Sequence, residues 1–137
     1  MTARLAIASR SPYEKEIGFS RAVRMGSLIF VGGTAPIGPD RKPWAVGDPG
    51  GQARRCLEII AEALAQAGAG LEHVVRTRMF ITDVAHWEAG GRAHGEVFGA
   101  IRPASTMVQV AGLLEPEWLV EIEADAVLPD AERGGES

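Results

Sequence analysis

Glu121, Glu123 and Asp125 recur at every second residue of the stretch 118–127, alternating with Trp118, Val120, Ile122, Ala124 and Ala126. On a strand, this spacing puts the three carboxylates on one face and the apolar set on the other. Such a row repels itself unless it meets water, cations or a neighbouring subunit. Glu121 is the candidate for positioning a hydrolytic water, and an ion pair with Arg76 or Arg78 is its ordinary alternative. His94 is the second candidate, because an imidazole transfers protons near neutral pH; a lone histidine on the inner stripe of a helix is also a common core residue. Arg78 and Arg102 have plain readings as surface or cross-strand partners. His73, His86 and His94 lack metal-site spacing with carboxylates or cysteine, so no metal is expected. Cys56, the single cysteine, falls on an apolar helical stripe, which favours a buried, inert thiol and leaves no partner for an internal disulfide.

The elements that must position these groups follow from periodicity and turn chemistry. Arg4–Ile7 reads as a short strand and Ser9–Ile17 as an exposed loop. Ala22–Met25 and Leu28–Val31 flank Gly26-Ser27, a pair suited to a hairpin turn. Gly32-Gly33 reads as the end of the second strand, and 34–51, rich in proline and glycine, as a long irregular connection. From Gln52 to Ala67 the apolar residues recur at helical spacing, and Gly68 suits a left-handed C-terminal cap. Val75, Thr77, Met79 and Ile81 alternate with Arg76, Arg78, Phe80 and Thr82 as a strand. Asp83 suits the N-cap of a second helix to about Ala100, which Gly90, Gly91 and Gly95 weaken or break. The stretch 102–129 reads as a final hairpin turning at Glu115-Pro116-Glu117. Helices segregated over one mixed sheet give an α+β two-layer sandwich with both helices on one face.

At 137 residues the chain fits a single domain over 1–129, followed by a polar tail at 130–137. Its 46% hydrophobic content and 23% charge suit a globular protein rather than a disordered one. A net charge of -4, with no basic cluster interleaved with aromatics, gives no support for nucleic-acid binding. No apolar run approaches a membrane span and no signal-like N-terminus is evident, so a cytoplasmic protein with no membrane association is expected.

Several of these landmarks resemble the RidA/YjgF family, long labelled endoribonuclease L-PSP, over most of residues 19–127. Phe19-Ser-Arg-Ala-Val23 is similar to the family's Tyr-Ser-x-Ala-Val, Val31-Gly-Gly-Thr34 to its Ser-Gly-Gln turn and Ile81-Thr-Asp83 to its Leu-Thr-Asp. Pro103-Ala104 and Val108-Gln-Val-Ala111 resemble parts of Pro-Ala-Arg-Ser-x-Val-x-Val, and Leu119-Val-Glu-Ile-Glu-Ala124 resembles Val-Glu-Ile-Glu-Ala. The resemblance implies a chorismate-mutase-like fold and a homotrimer with small-molecule clefts between subunits. It also implies cofactor-independent hydrolysis of imines or enamines to carbonyl products and ammonia. Carried over by position, Phe19, Gly32, Gly91, Ser105 and Met107 line that cleft and Glu121 is the catalytic last-strand glutamate that helps handle water. Ser105 stands where the family's arginine clamps a substrate carboxylate, and serine supplies neither the charge nor the two-pronged donor. Standard 2-imino acid deamination is therefore not expected, and Arg102 or Arg78 would have to replace the clamp. A non-catalytic trimer binding a metabolite or a partner protein is the alternative. RNA cleavage ranks last, for want of a basic surface and a paired-histidine arrangement.

Overall fold

The computed structural model describes residues 3–129, so the tail expected at 130–137 lies outside the described residues. Its elements are β1 (Arg4–Ile7), β2 (Ala22–Met25), β3 (Leu28–Thr34), α1 (Pro49–Gln66), β4 (Val74–Ile81), α2 (Trp87–Phe98), β5 (Ala104–Gln109) and β6 (Val120–Val127). The six strands form one mixed sheet in the order β1-β2-β3-β6-β4-β5. β6 runs antiparallel to both of its neighbours, whereas β4 and β5 are parallel. Both helices cover one face, giving the expected α+β two-layer architecture.

The β2–β3 hairpin turns at Gly26, whose φ of 62° is the left-handed backbone the Gly-Ser pair was expected to supply. α1 begins at Pro49, three residues before the expected start. Asp48 Oδ1 accepts from the Gly51 N–H at 3.0 Å and Pro49 occupies the first turn, where its missing N–H costs no helical bond. At the other end Gly68 adopts φ 86°, and the Ala69 and Gly68 N–H groups donate to the Leu64 and Ala65 carbonyls, closing a Schellman cap. The segment expected as a loop before β2 contains a wide helical turn at Glu14–Gly18.

Three sequence expectations fail for physical reasons. β5 and β6 do not pair with each other: β6 inserts between β3 and β4 and β5 forms the sheet edge. The apolar row Val120, Ile122, Ala124 and Ala126 is fully buried, and only a central strand beneath α1 receives such cover. β5 buries none of its residues completely, as suits an edge. Secondly, α2 is continuous through Gly90, Gly91 and Gly95, preceded by a short 3₁₀ turn at Val84–His86 that Asp83 caps by accepting from the Ala85 N–H. Thirdly, a bulge between Val74 and Arg76 leaves Val75 exposed and puts Val74, not Val75, in the core with Thr77, Met79 and Ile81.

The core lies between the helices and the covered sheet face. Ala53, Cys56, Leu57, Ile60, Ala63 and Leu64 of α1 meet Ile29, Val31, Ile122 and Ala124, and Ala93 and Phe98 of α2 complete it. The opposite, open face carries Glu121, Glu123 and Asp125 together with the exposed apolar side chains Met25, Leu28, Phe30 and Val108.

Candidate functional site

The sheet divides the candidate residues into two groups. Glu121 lies opposite Phe80 of β4 on the open face. Ser105 lies opposite Thr77, a buried residue of the covered face. Two strand spacings and three residues separate them, about 14 Å before the sheet's own thickness is added. Within one chain they cannot act on the same atom.

The first group gathers at a bulge in β3. The register between β3 and β6 shifts between Val31 and Thr34, so Gly32-Gly33 continues the strand rather than ending it. The Glu121 carboxylate rests over Gly33: a Cβ at that position would lie 3.3 Å from the carboxyl carbon, closer than ordinary contact. The same test at Gly32 finds only backbone oxygens at 3.6 and 3.7 Å, so Gly33 is the position where the absence of a side chain matters. Burial raises the Glu121 pKa above the usual carboxylate range, Arg21 opposes this and Glu123 adds to it. Glu121 forms no ion pair with Arg76 or Arg78. Arg78 instead reaches Glu123 at 3.0 Å and Asp125 at 3.5 Å, which neutralises part of the acidic row and removes Arg78 as a free clamp.

Arg21 is the residue that sequence reasoning missed. Its guanidinium donates to the Gly33 carbonyl at 3.4 Å and to Thr34 Oγ1 at 3.3 Å, long bonds that leave other N–H groups free. Burial pulls its pKa down, against the pull of Cys56, Glu121 and Glu14. The available signal was its place in Phe19-Ser-Arg-Ala-Val23, where only the flanking residues drew attention. Phe19 precedes it in extended conformation and is 42% exposed, large and apolar at the rim of the sheet.

The second group gathers where α2 crosses the edge strand. Thr77 Oγ1 lies 2.8 Å from both His94 Nε2 and Ser105 Oγ. Ser105 is exposed, His94 half-buried and Thr77 fully buried. Desolvation lowers the His94 pKa, which favours the neutral ring, and Phe98 packs against it with ring centroids 4.7 Å apart. Met107 flanks Ser105 on the same face, since the paired Met79 belongs to the core. A Cβ at Gly91 would meet nothing nearer than Met107 Cε at 3.8 Å. That is ordinary van der Waals contact with a flexible side chain, so no close backbone approach requires a glycine there. Arg102 is exposed with φ 57°, so it leaves the helix through the left-handed region rather than through an extended one. Its N–H donates to the Phe98 carbonyl and closes the end of α2.

A third residue acts from behind. Gln52 is fully buried; its Oε1 accepts from the Leu119 N–H at 2.7 Å and its Nε2 donates to the Glu117 carbonyl at 2.9 Å. The chain is thereby pinned two residues ahead of Glu121. The sequence held a signal here too, a lone amide in helical register with Cys56 and Ile60. Cys56 itself is buried, its thiol pushed far up by desolvation. Among the described residues no three His, Cys, Asp or Glu side chains converge as metal ligands. No described helix is long and apolar enough to cross a membrane.

Two helices over a six-stranded mixed sheet in this order, with a last-strand glutamate over a diglycine bulge, define a YjgF-type α+β protein. The family model described as Endoribonuclease L-PSP matches residues 10–128. An uncharacterised protein of Streptomyces coelicolor is 37% identical over 120 residues, 88% of this chain and 89% of that protein. The 3-aminoacrylate deaminase RutC of Acinetobacter baylyi is 34% identical over 77% of this chain and 82% of its own. A crystal structure of a YjgF/YER057c/UK114 family member from Mycobacterium tuberculosis superposes with TM-score 0.83 and 44% identity, covering 92% of this chain and all of that one. The chain belongs to the RidA/YjgF family.

Proposed function

We propose that this protein is a cofactor-independent hydrolase of an imine, enamine or related carbonyl-type metabolite, acting in clefts between the subunits of a homotrimer. The observation that carries the reading is Glu121, a desolvated carboxylate with raised pKa that no arginine pairs directly, held over Gly33 beside Arg21. Such a carboxylate attracts an iminium cation and orients an attacking water. The exposed apolar and acidic side chains of the open sheet face suit burial against another copy, which would bring the Ser105 group of one subunit towards the Glu121 group of the next. Relatedness to a 3-aminoacrylate deaminase supports release of ammonia from an enamine.

Ser105 in place of the arginine makes 2-imino acids poor substrates, and Arg21 is the cation best placed to compensate. Ammonia release should be measured on 3-aminoacrylate generated in situ, on 2-iminobutyrate and on an uncharged enamine, for wild type and Glu121→Gln. Turnover of at least one substrate, reduced about 100-fold or more by the amide, is expected. No turnover of any of them, with saturable binding by calorimetry, would instead support a non-catalytic metabolite-binding trimer, which the missing guanidinium at Ser105 also favours.

A further inference from the structure

The hydroxyls of Ser105 and Thr77 and the His94 ring form a chain whose two links are both 2.8 Å, running from an exposed oxygen through a fully buried one to a half-buried imidazole. Each member can both donate and accept. With Nε2 protonated, His94 donates to Thr77, Thr77 to Ser105, and the Ser105 hydrogen points outward. With Nε2 bare, every link reverses: Ser105 donates to Thr77, Thr77 to His94, and the Ser105 oxygen accepts from outside. Thr77 is buried away from bulk water, so protons pass along the chain rather than leaking from its middle. Neither the acidic row nor Arg78 belongs to this face, and desolvation alone accounts for the lowered pKa of His94, which keeps the ring ready to accept.

We propose that Ser105, Thr77 and His94 form a proton relay, in which the exposed Ser105 hydroxyl serves as the catalytic group and His94 stores the proton. This relay rests on the hydrolase reading. Water oxygen bonds to the iminium carbon while the C=N π pair becomes the nitrogen lone pair. The proton lost by that water goes to Ser105 Oγ as the Ser105 proton moves to Thr77 and the Thr77 proton to His94 Nε2. This yields a neutral carbinolamine and an imidazolium. The imidazolium returns its proton through Thr77 and Ser105 to the amine nitrogen. The C–N bond then breaks with its pair on nitrogen, the carbinol O–H pair closes the C=O bond, and the departing ammonia takes the hydroxyl proton as ammonium.

The test uses the full chain in two arms. In the first, Thr77→Val, which keeps shape and loses the hydroxyl, and His94→Asn lower kcat about 100-fold with KM little changed. Thr77→Ser recovers most of what Thr77→Val loses, and the double variant Thr77→Val/His94→Asn is no worse than either single one. Equal kcat in Thr77→Val and wild type overturns the relay. In the second arm, ¹⁵N shifts of the His94 ring report its tautomer ratio, which Ser105→Ala changes only if Thr77 transmits the link, and not in a Thr77→Val background. An unchanged ratio in Ser105→Ala overturns the wiring even where the wild type turns over none of the substrates tried. In that case absent turnover refutes the hydrolase reading, and with it the catalytic use of the relay, while a changed ratio supports the hydrogen-bonded wiring of Ser105, Thr77 and His94 on its own.

Discussion

Replacing Gln52 with leucine tests whether the strand carrying Glu121 is anchored from behind. The substitution removes the acceptor of the Leu119 N–H and the donor to the Glu117 carbonyl, bonds of 2.7 and 2.9 Å. A buried backbone group left without a partner costs about 1–3 kcal/mol. Glu117 is exposed and Leu119 half-buried, so water recovers part of each loss, while the leucine side chain adds apolar burial in a fully covered position. The net expectation is a loss of about 1–3 kcal/mol, which for a domain of this length corresponds to a melting temperature lower by roughly 3–10 °C. Calorimetric melts at fixed protein concentration measure it, and amide exchange at 118–121 should accelerate alongside. Gln52→Glu separates the two bonds, because a carboxylate still accepts from Leu119 but cannot donate to Glu117. Its burial raises its folded pKa, so the variant is most stable below the usual carboxylate range and loses stability as pH rises through the raised value. A Gln52→Leu protein melting within about 1 °C of wild type, where a real loss would be several degrees, refutes the anchoring argument.

Glu121→Gln should lose activity yet melt higher than wild type at neutral pH. The raised pKa of Glu121 means that its contribution to stability is full below the usual carboxylate range and falls as pH rises through the folded value; the melting advantage of the amide should therefore vanish in acid. Light scattering should give a trimer at micromolar concentration, and a monodisperse monomer would remove the cleft between subunits. Ser105→Arg should tighten binding of 2-iminobutyrate, read as a lower KM, while kcat falls with loss of the Ser105 hydroxyl, and an unchanged KM would shift attention to Arg21 as the carboxylate partner.

The legibility of this chain in its sequence differs from element to element for reasons tied to particular residues. Both helices, the first hairpin and the two-sided pattern of β6 were visible, because burial against one layer imposes a period on the residues themselves. The position of β6 in the sheet was not visible. Ten residues, 110–119, separate it from β5, and proximity in the chain suggested a hairpin that the pairing with β3 and β4 supersedes. Bulges are equally silent: one extra residue at Gly32-Gly33 or Val75 leaves no mark on composition, yet it decides which side chain meets Glu121 and whether Val75 is buried. Among the candidate site residues, Glu121, Ser105 and His94 were singled out from the sequence, but their division between two sheet faces depends on register. Arg21 and Thr77 escaped because neither breaks a pattern: one fills a variable motif position and the other sits where a β-branched residue suits a strand.

The exchange at position 105 changes more than binding. An arginine there offers donors only, so Thr77 would have to accept from it and direct its own hydrogen to His94. The chain would then be fixed in one sense, with His94 Nε2 unprotonated, and could not carry a proton out and back. Serine gives up the charge-assisted grip on a carboxylate and leaves the chain reversible, since a hydroxyl both donates and accepts. The burial of Thr77 matters in the same way, because an exposed hydroxyl would exchange its proton with water and uncouple the two ends. Position 105 is thus where grip on an anionic substrate and proton transfer by His94 compete for a single side chain. In this protein the neighbouring residues, Thr77 at 2.8 Å from both partners and a histidine rather than an inert residue at 94, are arranged for the second of these.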